Sequence, residues 1–304
     1  MARKSSEEIL AELQAYDDGH LVRPIGIWSL EKLATLLLYF RAFSTACESV
    51  GGGYYVDGFA GPGLCRVKNA QPGPYYAWGS PLLALRNSPD FERCILLDIR
   101  PRNVEALSSR ARPFGQKANI HCGDVNLELS RLVRELVPSG APCFCLLDPQ
   151  GTELAWSTLV RVSKTPERAR KPELLILFPL RMALLRLMTT ERAIPPQMME
   201  RLDVVFGSQT WSGIHRARLD AHISPSEARL RYLDEYCIGL RSLGYGWVRS
   251  KAITAPRAPG LRRQEMYHLI FATDHEAGNR IMEDVFRRPY VLDFPVSAQH
   301  RLFE

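Results

Sequence analysis

Apolar positions follow two rhythms along the chain. Between Ile27 and Glu48, Leu30, Leu33, Leu37, Phe40 and Phe43 recur at helical spacing, with Glu31, Lys32 and Arg41 between them. This spacing predicts an amphipathic helix ending near the triplet Gly51-Gly52-Gly53. Beyond it come short, unbroken apolar runs: Tyr54-Tyr55-Val56, Cys94-Ile95-Leu96-Leu97, Phe144-Cys145-Leu146-Leu147 and Leu174-Leu175-Ile176-Leu177. Runs of that length without alternation mark strands buried on both faces, as in a parallel sheet covered by helices. Helical stretches separate them. One opens at Ser80-Pro81, a serine cap with proline at the first helical position. Others are predicted over 101–112, 125–137 and 153–163, with a further strand over 118–122.

The repeated strand–helix order predicts an α/β fold with a doubly wound, mostly parallel sheet. Residues 180–243 break the rhythm. Leucine, methionine and arginine at helical spacing, interrupted by Pro195-Pro196 and Ser224-Pro225, predict a helical insertion there, with Ser224 and Glu227 as a capping box. Two strands, 245–253 and 265–272, and a helix from about His275 to Phe286 complete the sheet domain. The expected organisation is an N-terminal helical segment (1–50), a cofactor-binding α/β domain (51–179 and 244–304), and the insertion (180–243).

Composition narrows the class. Of 304 residues, 46% are hydrophobic and 24% charged, an ordinary globular balance. The start, Met1-Ala2-Arg3-Lys4, runs into polar sequence, and no apolar run approaches membrane-spanning length. A cytoplasmic protein is expected. The seven cysteines form no C-x-x-C pair, and Cys143 and Cys145 would share one strand face, so buried reduced thiols are expected and no metal site. The first 150 residues carry equal numbers of basic and acidic side chains, so the second half carries the whole net charge of +6. An arginine-rich half suggests a polyanion such as DNA or RNA, and a solvated helical face is the alternative.

The chemistry concentrates at strand ends. The first strand closes in Asp57-Gly58-Phe59-Ala60-Gly61-Pro62-Gly63, where Gly61 and Gly63 let the backbone pass close to a ligand. Asp98 closes the second strand, where a carboxylate suits ribose hydroxyls. Asp124 follows the third, where it suits an adenine amino group or a helix cap. Asp148 closes the fourth, facing a reaction centre. A pyrophosphate would need a helix N-terminus directly after the glycine turn, whereas about twenty residues intervene here. Asp57 would repel a phosphate but suits an ammonium. The set points to S-adenosylmethionine.

Other residues have weaker claims. The stretch from Leu64 to Trp78 interleaves Arg66 and Lys68 with Tyr75, Tyr76 and Trp78, which suits a nucleic-acid-binding lid that orders on binding, with a passive surface loop as the alternative. Cys65 has no base placed for nucleophilic work. Arg257, Arg262 and Arg263 are phosphate-contact candidates. Lys32 reads as an exposed helical lysine, with reach to the cofactor mouth as the alternative, Trp156 as core, and His215 and His222 as surface residues.

The blocks Tyr55-Val56-Asp57-Gly58-Phe59-Ala60-Gly61-Pro62-Gly63 and Gly79-Ser80-Pro81-Leu82-Leu83-Ala84-Leu85, with Asp148-Pro149-x-Gly151, Phe178-Pro179-x-Arg181-Met182 and Tyr267-His268-Leu269-Ile270-Phe271-Ala272, resemble the three-Cys-motif partner family (TcmP) over residues 27–290. The resemblance implies a Rossmann-like, seven-stranded fold of the class I methyltransferase type and an iron–sulfur, radical-type partner with a three-cysteine motif. Enzymes that methylate nucleobase amino groups carry Asp/Asn-Pro-Pro-aromatic after the fourth strand. Here Asp148-Pro149-Gln150-Gly151 keeps the acid and first proline and lacks the second proline and the ring. The leading expectation is an S-adenosylmethionine-dependent methyltransferase acting on nucleic acid. The alternative is a cofactor-binding partner subunit.

Overall fold

The computed structural model describes residues 5–70, 73–87, 91–165, 169–188, 194–255 and 263–288. Its main sheet has seven strands: β3 (Gly53–Asp57), β6 (Phe91–Asp98), β7 (Ala118–Cys122), β8 (Cys143–Leu147), β9 (Glu173–Phe178), β10 (Trp247–Ala255) and β11 (Gln264–Thr273). They lie in the order β10-β11-β9-β8-β3-β6-β7. β11 runs antiparallel to both β9 and β10, and the pairings among β9, β8, β3, β6 and β7 are all parallel. The doubly wound expectation is met, with strand limits within three residues of those read from the apolar runs.

Each unbroken apolar run is two interleaved stripes, because successive strand residues face opposite ways. Tyr55, Cys94, Leu96, Phe144, Leu146, Leu175 and Leu177 join one core with α2 (Ser29–Glu48) and α11 (Glu276–Arg287). Val56, Ile95, Leu97, Cys145, Leu147, Leu174 and Ile176 join a second core with α5 (Val125–Leu136) and α6 (Trp156–Ser163). The five apolar residues of the predicted α2 stripe are all buried. α4 (Pro101–Ala111) links β6 to β7, and α3 (Ser80–Asn87) links the glycine-rich region to β6.

The insertion is helical as expected. A π-helical turn (Leu180–Leu184) runs into α7 (Leu185–Leu187), followed by α8 (Pro196–Phe206), α9 (Thr210–Leu219) and α10 (Pro225–Ser242). Ser224 caps α10 by accepting from the Glu227 amide at 3.1 Å. Trp156 locks this layer to α6. Its ring meets Tyr236 edge-on at 5.1 Å and lies so close to Gly207 and Gly239 that a Cβ at either would fall within 2.6 Å of it. His215, expected at the surface, is buried beside Trp211, while His222 is exposed.

Two further expectations need correction. The N-terminal segment is not only helical: besides α1 (Ser6–Leu13) it supplies β1 (Gln14–Ala15) and β2 (Arg23–Ile25). The stretch 64–78, expected as a lid, contains the antiparallel strands β4 (Leu64–Val67) and β5 (Tyr75–Trp78). β1 pairs with β5 and β2 with β4, giving a second sheet in the order β1-β5-β4-β2. The strands were hidden because each is four residues or fewer, and β1 and β2 pair only with strands far along the chain. Among the described residues no helix is long and apolar enough to cross a membrane.

Candidate functional site

The strand termini of β3, β6, β7 and β8 open on one cavity of about 530 Å³, lined by Phe59, Asp98, Ile99, Asp124, Asp148 and Arg23 among others. Its place beyond the carboxyl ends of parallel strands is where open α/β sheets hold ligands, and its volume is that of a site for a nucleoside-sized molecule. Asp98, Asp124 and Asp148 therefore do share a cleft. Asp57 stands behind it. Fully buried, its Oδ2 accepts from the Tyr55 hydroxyl at 2.7 Å and from Ser80 Oγ at 2.6 Å, and its Oδ1 accepts from the Phe59 amide at 3.1 Å. Burial pushes this carboxyl up to about 6, against the pull of the Ser80, Tyr55 and Phe59 hydrogen bonds. Its oxygens do not reach the cavity. They tie the end of β3 to the start of α3 and shape the turn.

The turn completes one wall. Gly61 and Gly63 have φ of +64° and +86°, left-handed values that glycine adopts without strain. At Gly63 a Cβ would also sit 2.9 Å from Leu107 Cδ1. The Gly61 amide donates to Asp98 Oδ2 at 2.8 Å, while Asp98 Oδ1 accepts from the Arg100 amide and Asn103 Nδ2. A carboxylate offers about four acceptor positions, so Asp98 retains one for a ligand hydroxyl. Asp124 is both cap and wall: Oδ1 accepts from the Asn126 amide at 2.8 Å, which starts α5.

At the far end, Asp148 is buried and ion-paired. Lys32 Nζ donates to its Oδ2 at 2.5 Å, and Arg23 Nη1 stands 3.6 Å from the same oxygen. Lys32 is thus buried, contrary to the exposed lysine expected from α2, because Asp148 offers a counter-charge 116 positions along the chain. With its amide oxygen turned toward Arg23, Gln150 accepts from Nη2 at 2.7 Å and Nε at 3.1 Å. Neither Arg23 nor Gln150 was singled out in the sequence. The position of Gln150 in the tetrad that lacks its second proline was the one available signal.

The N-terminal segment forms the outer wall through Leu21, Val22, Arg23 and Pro24. Arg110 on α4 holds it. Its guanidinium donates to both carboxylate oxygens of Asp18, at 2.7 and 2.5 Å, and to the carbonyls of Leu21 and Pro62, at 2.7 and 2.6 Å.

The expected substrate-contact residues are dispersed. Tyr75 donates to the Leu10 carbonyl and Tyr76 to Asp17 Oδ2, each at 2.8 Å, so both fasten the N-terminal segment. Arg66 on β4 and Lys68 in the turn after it are exposed and line none of the cavity. Arg263, just before β11, donates to the Thr254 hydroxyl and carbonyl near the end of β10. Arg257 and Arg262 lie outside the described residues. Burial pushes the Cys65 thiol up, opposed by Arg23 and Lys32, which keeps it from the thiolate form a nucleophile needs. Six of the seven free cysteines are buried, and among the described residues no group of His, Cys, Asp or Glu could hold a metal ion.

No protein-family model and no curated protein matches the chain. Among solved structures it is similar to protein LPL1258 from Legionella pneumophila strain Philadelphia 1, at 10% identity and TM-score 0.48, covering 83% of this chain and 90% of that one. It is also similar to the putative RNA methyltransferase PH1948 from Pyrococcus horikoshii, at 12% identity and TM-score 0.39, covering 88% and 98%. A third is the N-methyltransferase NodS from Bradyrhizobium japonicum WM9 in complex with S-adenosyl-L-homocysteine, at 9% identity and TM-score 0.39, covering 89% and 98%. The chain has a Rossmann-like fold of the class I methyltransferase type, defined by its own strand order with β11 reversed between β9 and β10.

Proposed function

We propose that the protein binds S-adenosylmethionine in this cavity and transfers its methyl group to a nucleic acid. The carrying observation is the cavity itself, which gathers Asp98, Asp124 and Asp148 at the ends of neighbouring strands beside a glycine turn. Asp98 would accept from the ribose, Asp124 from the adenine amino group through the oxygen its cap leaves over, and Phe59 and Ile99 would flank the rings. Asp57 would act indirectly, by holding the turn. The cofactor supplies an already activated methyl group, so the protein's task is to align donor and acceptor.

Nucleic acid as the acceptor is supported by the basic second half of the chain, although much of that charge is locally balanced. Arg231, Arg280, Arg287 and Arg288 each pair with a carboxylate one helical turn earlier. The buried free thiols suit the reducing cytoplasm.

One observation favours a second reading, a cofactor-binding subunit that serves a three-cysteine iron–sulfur partner of the TcmP kind. Asp148 is engaged by Lys32, and Gly151 stands where a stacking ring would hold a base. Calorimetric titration with S-adenosylmethionine, followed by transfer of a tritiated methyl group to DNA, RNA and protein, separates the two. Binding with transfer to nucleic acid is expected. Binding without transfer to any polymer favours the subunit, and no binding removes both.

A further inference from the structure

We propose that Arg23 is the anchor for the carboxylate of the cofactor's amino-acid end, and that Gln150 sets its position. This rests on the cofactor reading above and specifies which residue grips the end opposite the adenine.

Direction comes first. Asp124, Asp98 and Asp148 follow β7, β6 and β8, and β3 lies between β6 and β8. An adenosine placed with its base at Asp124 and its ribose at Asp98 sends its 5′ substituent along the sheet edge, past the β3 glycine turn, toward Asp148. Arg23 waits there. Its Cδ and Nη1 lie 3.8 Å from where a Gly61 Cβ would be, so the guanidinium covers the turn at the point where the chain has no side chain of its own.

The guanidinium is also held in a way that leaves one edge to spare. Nε and Nη2 both donate to the Gln150 amide oxygen. Nη1 has only the ionic contact with Asp148 at 3.6 Å, beyond direct hydrogen-bond reach. Asp148 is already matched by Lys32 at 2.5 Å. Among Arg23, Lys32 and Asp148 there is one positive charge in excess, with Asp57 and Asp98 acting on Arg23 only through space, in a partly enclosed place with an unspent N–H edge. A carboxylate answers both needs, since a charged acceptor strengthens the hydrogen bond and neutralises the excess. Gln150 then has a use: where the amino-methylating tetrad has proline, this chain has the amide that aims Arg23.

The test uses ligand truncation. S-adenosylhomocysteine, 5′-methylthioadenosine and decarboxylated S-adenosylmethionine are titrated into wild-type protein and the Arg23→Gln and Gln150→Leu variants. Arg23→Gln is expected to weaken S-adenosylhomocysteine at least tenfold and to leave the two ligands without a carboxylate within twofold. Gln150→Leu is expected to show the same selective pattern to a smaller degree. Unchanged affinity for the carboxylate ligand in Arg23→Gln overturns the assignment, and so does an equal loss for all three ligands. Retained binding of methylthioadenosine shows that the variant's cavity is folded. Wild-type protein that binds none of the three overturns the cofactor reading, and the anchor with it.

Discussion

Lys32 on α2 and Asp148 at the end of β8 form a buried ion pair, Nζ to Oδ2 at 2.5 Å, with side-chain exposures of 10% and 4%. The pair joins the first long helix to the strand end at the far side of the cavity. Removing one partner of such a pair leaves an uncompensated charge in a poorly solvated place. Lys32→Met is expected to cost about 3 kcal/mol of stability, and Asp148→Asn a similar amount. The double variant should lose clearly less than the sum, as measured by urea unfolding. Strictly additive losses would refute the coupling.

Glu173 makes the stability depend on pH. It opens β9, and its carboxylate accepts from the Tyr39 hydroxyl on α2 and the Thr273 hydroxyl on β11. Burial pushes it from 4.5 to about 7, despite both hydrogen bonds. Between those values the folded state holds the proton and the unfolded state does not. Stability is therefore full below pH 4.5 with respect to this group and declines as pH rises through 7, by about 3 kcal/mol in all. Asp57, raised to about 6, acts in the same direction at lower pH. Glu173→Gln should flatten the slope between pH 5 and 7 in thermal melts. A variant that keeps the full slope would rule Glu173 out as its source.

The sheet was legible because each buried strand announces itself locally. Runs such as Phe144-Cys145-Leu146-Leu147 fill both cores at once; Asp98 ends a strand, and Asp124 and Asp148 sit just after one. Other features escaped notice because they depend on distant partners. Lys32 looks like any helical lysine until Asp148 is placed beside it. Arg23 lies in a three-residue strand that exists only by pairing with β4. Tyr75 and Tyr76 offer stacking faces in sequence, yet their hydroxyls are used to fasten residues 10 and 17. Residue type indicated what these side chains can do, and topology decided what they do.

Asp124 has two tasks that substitution can separate. As cap of α5 it accepts from the Asn126 amide, and Asp124→Ala should cost about 1 kcal/mol through the lost cap. Asp124→Ser preserves the cap, so its stability should stay within a few tenths of a kcal/mol of wild type. Both variants should weaken S-adenosylmethionine about tenfold, the loss of one good hydrogen bond. Urea unfolding beside calorimetric titration reads the two effects independently. Wild-type affinity in Asp124→Ser would remove the residue from the ligand site.

Gly63 is constrained by conformation and by space. With φ at +86°, and Leu107 and Leu82 within 3.2 Å of any Cβ, alanine would be strained and crowded at once. Gly63→Ala is expected to destabilise the fold by about 2 kcal/mol and to weaken cofactor binding by shifting the turn. Gly73→Ala, on the same connection but with open space around it, is the control and should be close to neutral. Equal thermal stability of the two variants would contradict this account.

Arg110 ties the outer wall of the cavity to the glycine turn through four hydrogen bonds from one guanidinium. Two go to Asp18, one to the Leu21 carbonyl and one to the Pro62 carbonyl. Its side chain is 4% exposed and that of Asp18 38% exposed, so the bond to the Pro62 carbonyl is the most sheltered of the four. Arg110→Gln removes the charge and most of the donors while leaving α4 a good helix former. The segment carrying Leu21, Val22 and Arg23 should then open more often, which hydrogen exchange would detect as faster exchange of the amides from 19 to 23. A bound cofactor would escape more readily through the loosened wall, so its dissociation rate should rise more than its association rate falls. Lysine at this position is expected to rescue little, because a point charge cannot span a carboxylate and two carbonyls as the planar fork does. Unaltered exchange in the 19–23 amides of Arg110→Gln would mean that the wall is held by its own packing and that the four bonds are incidental to it.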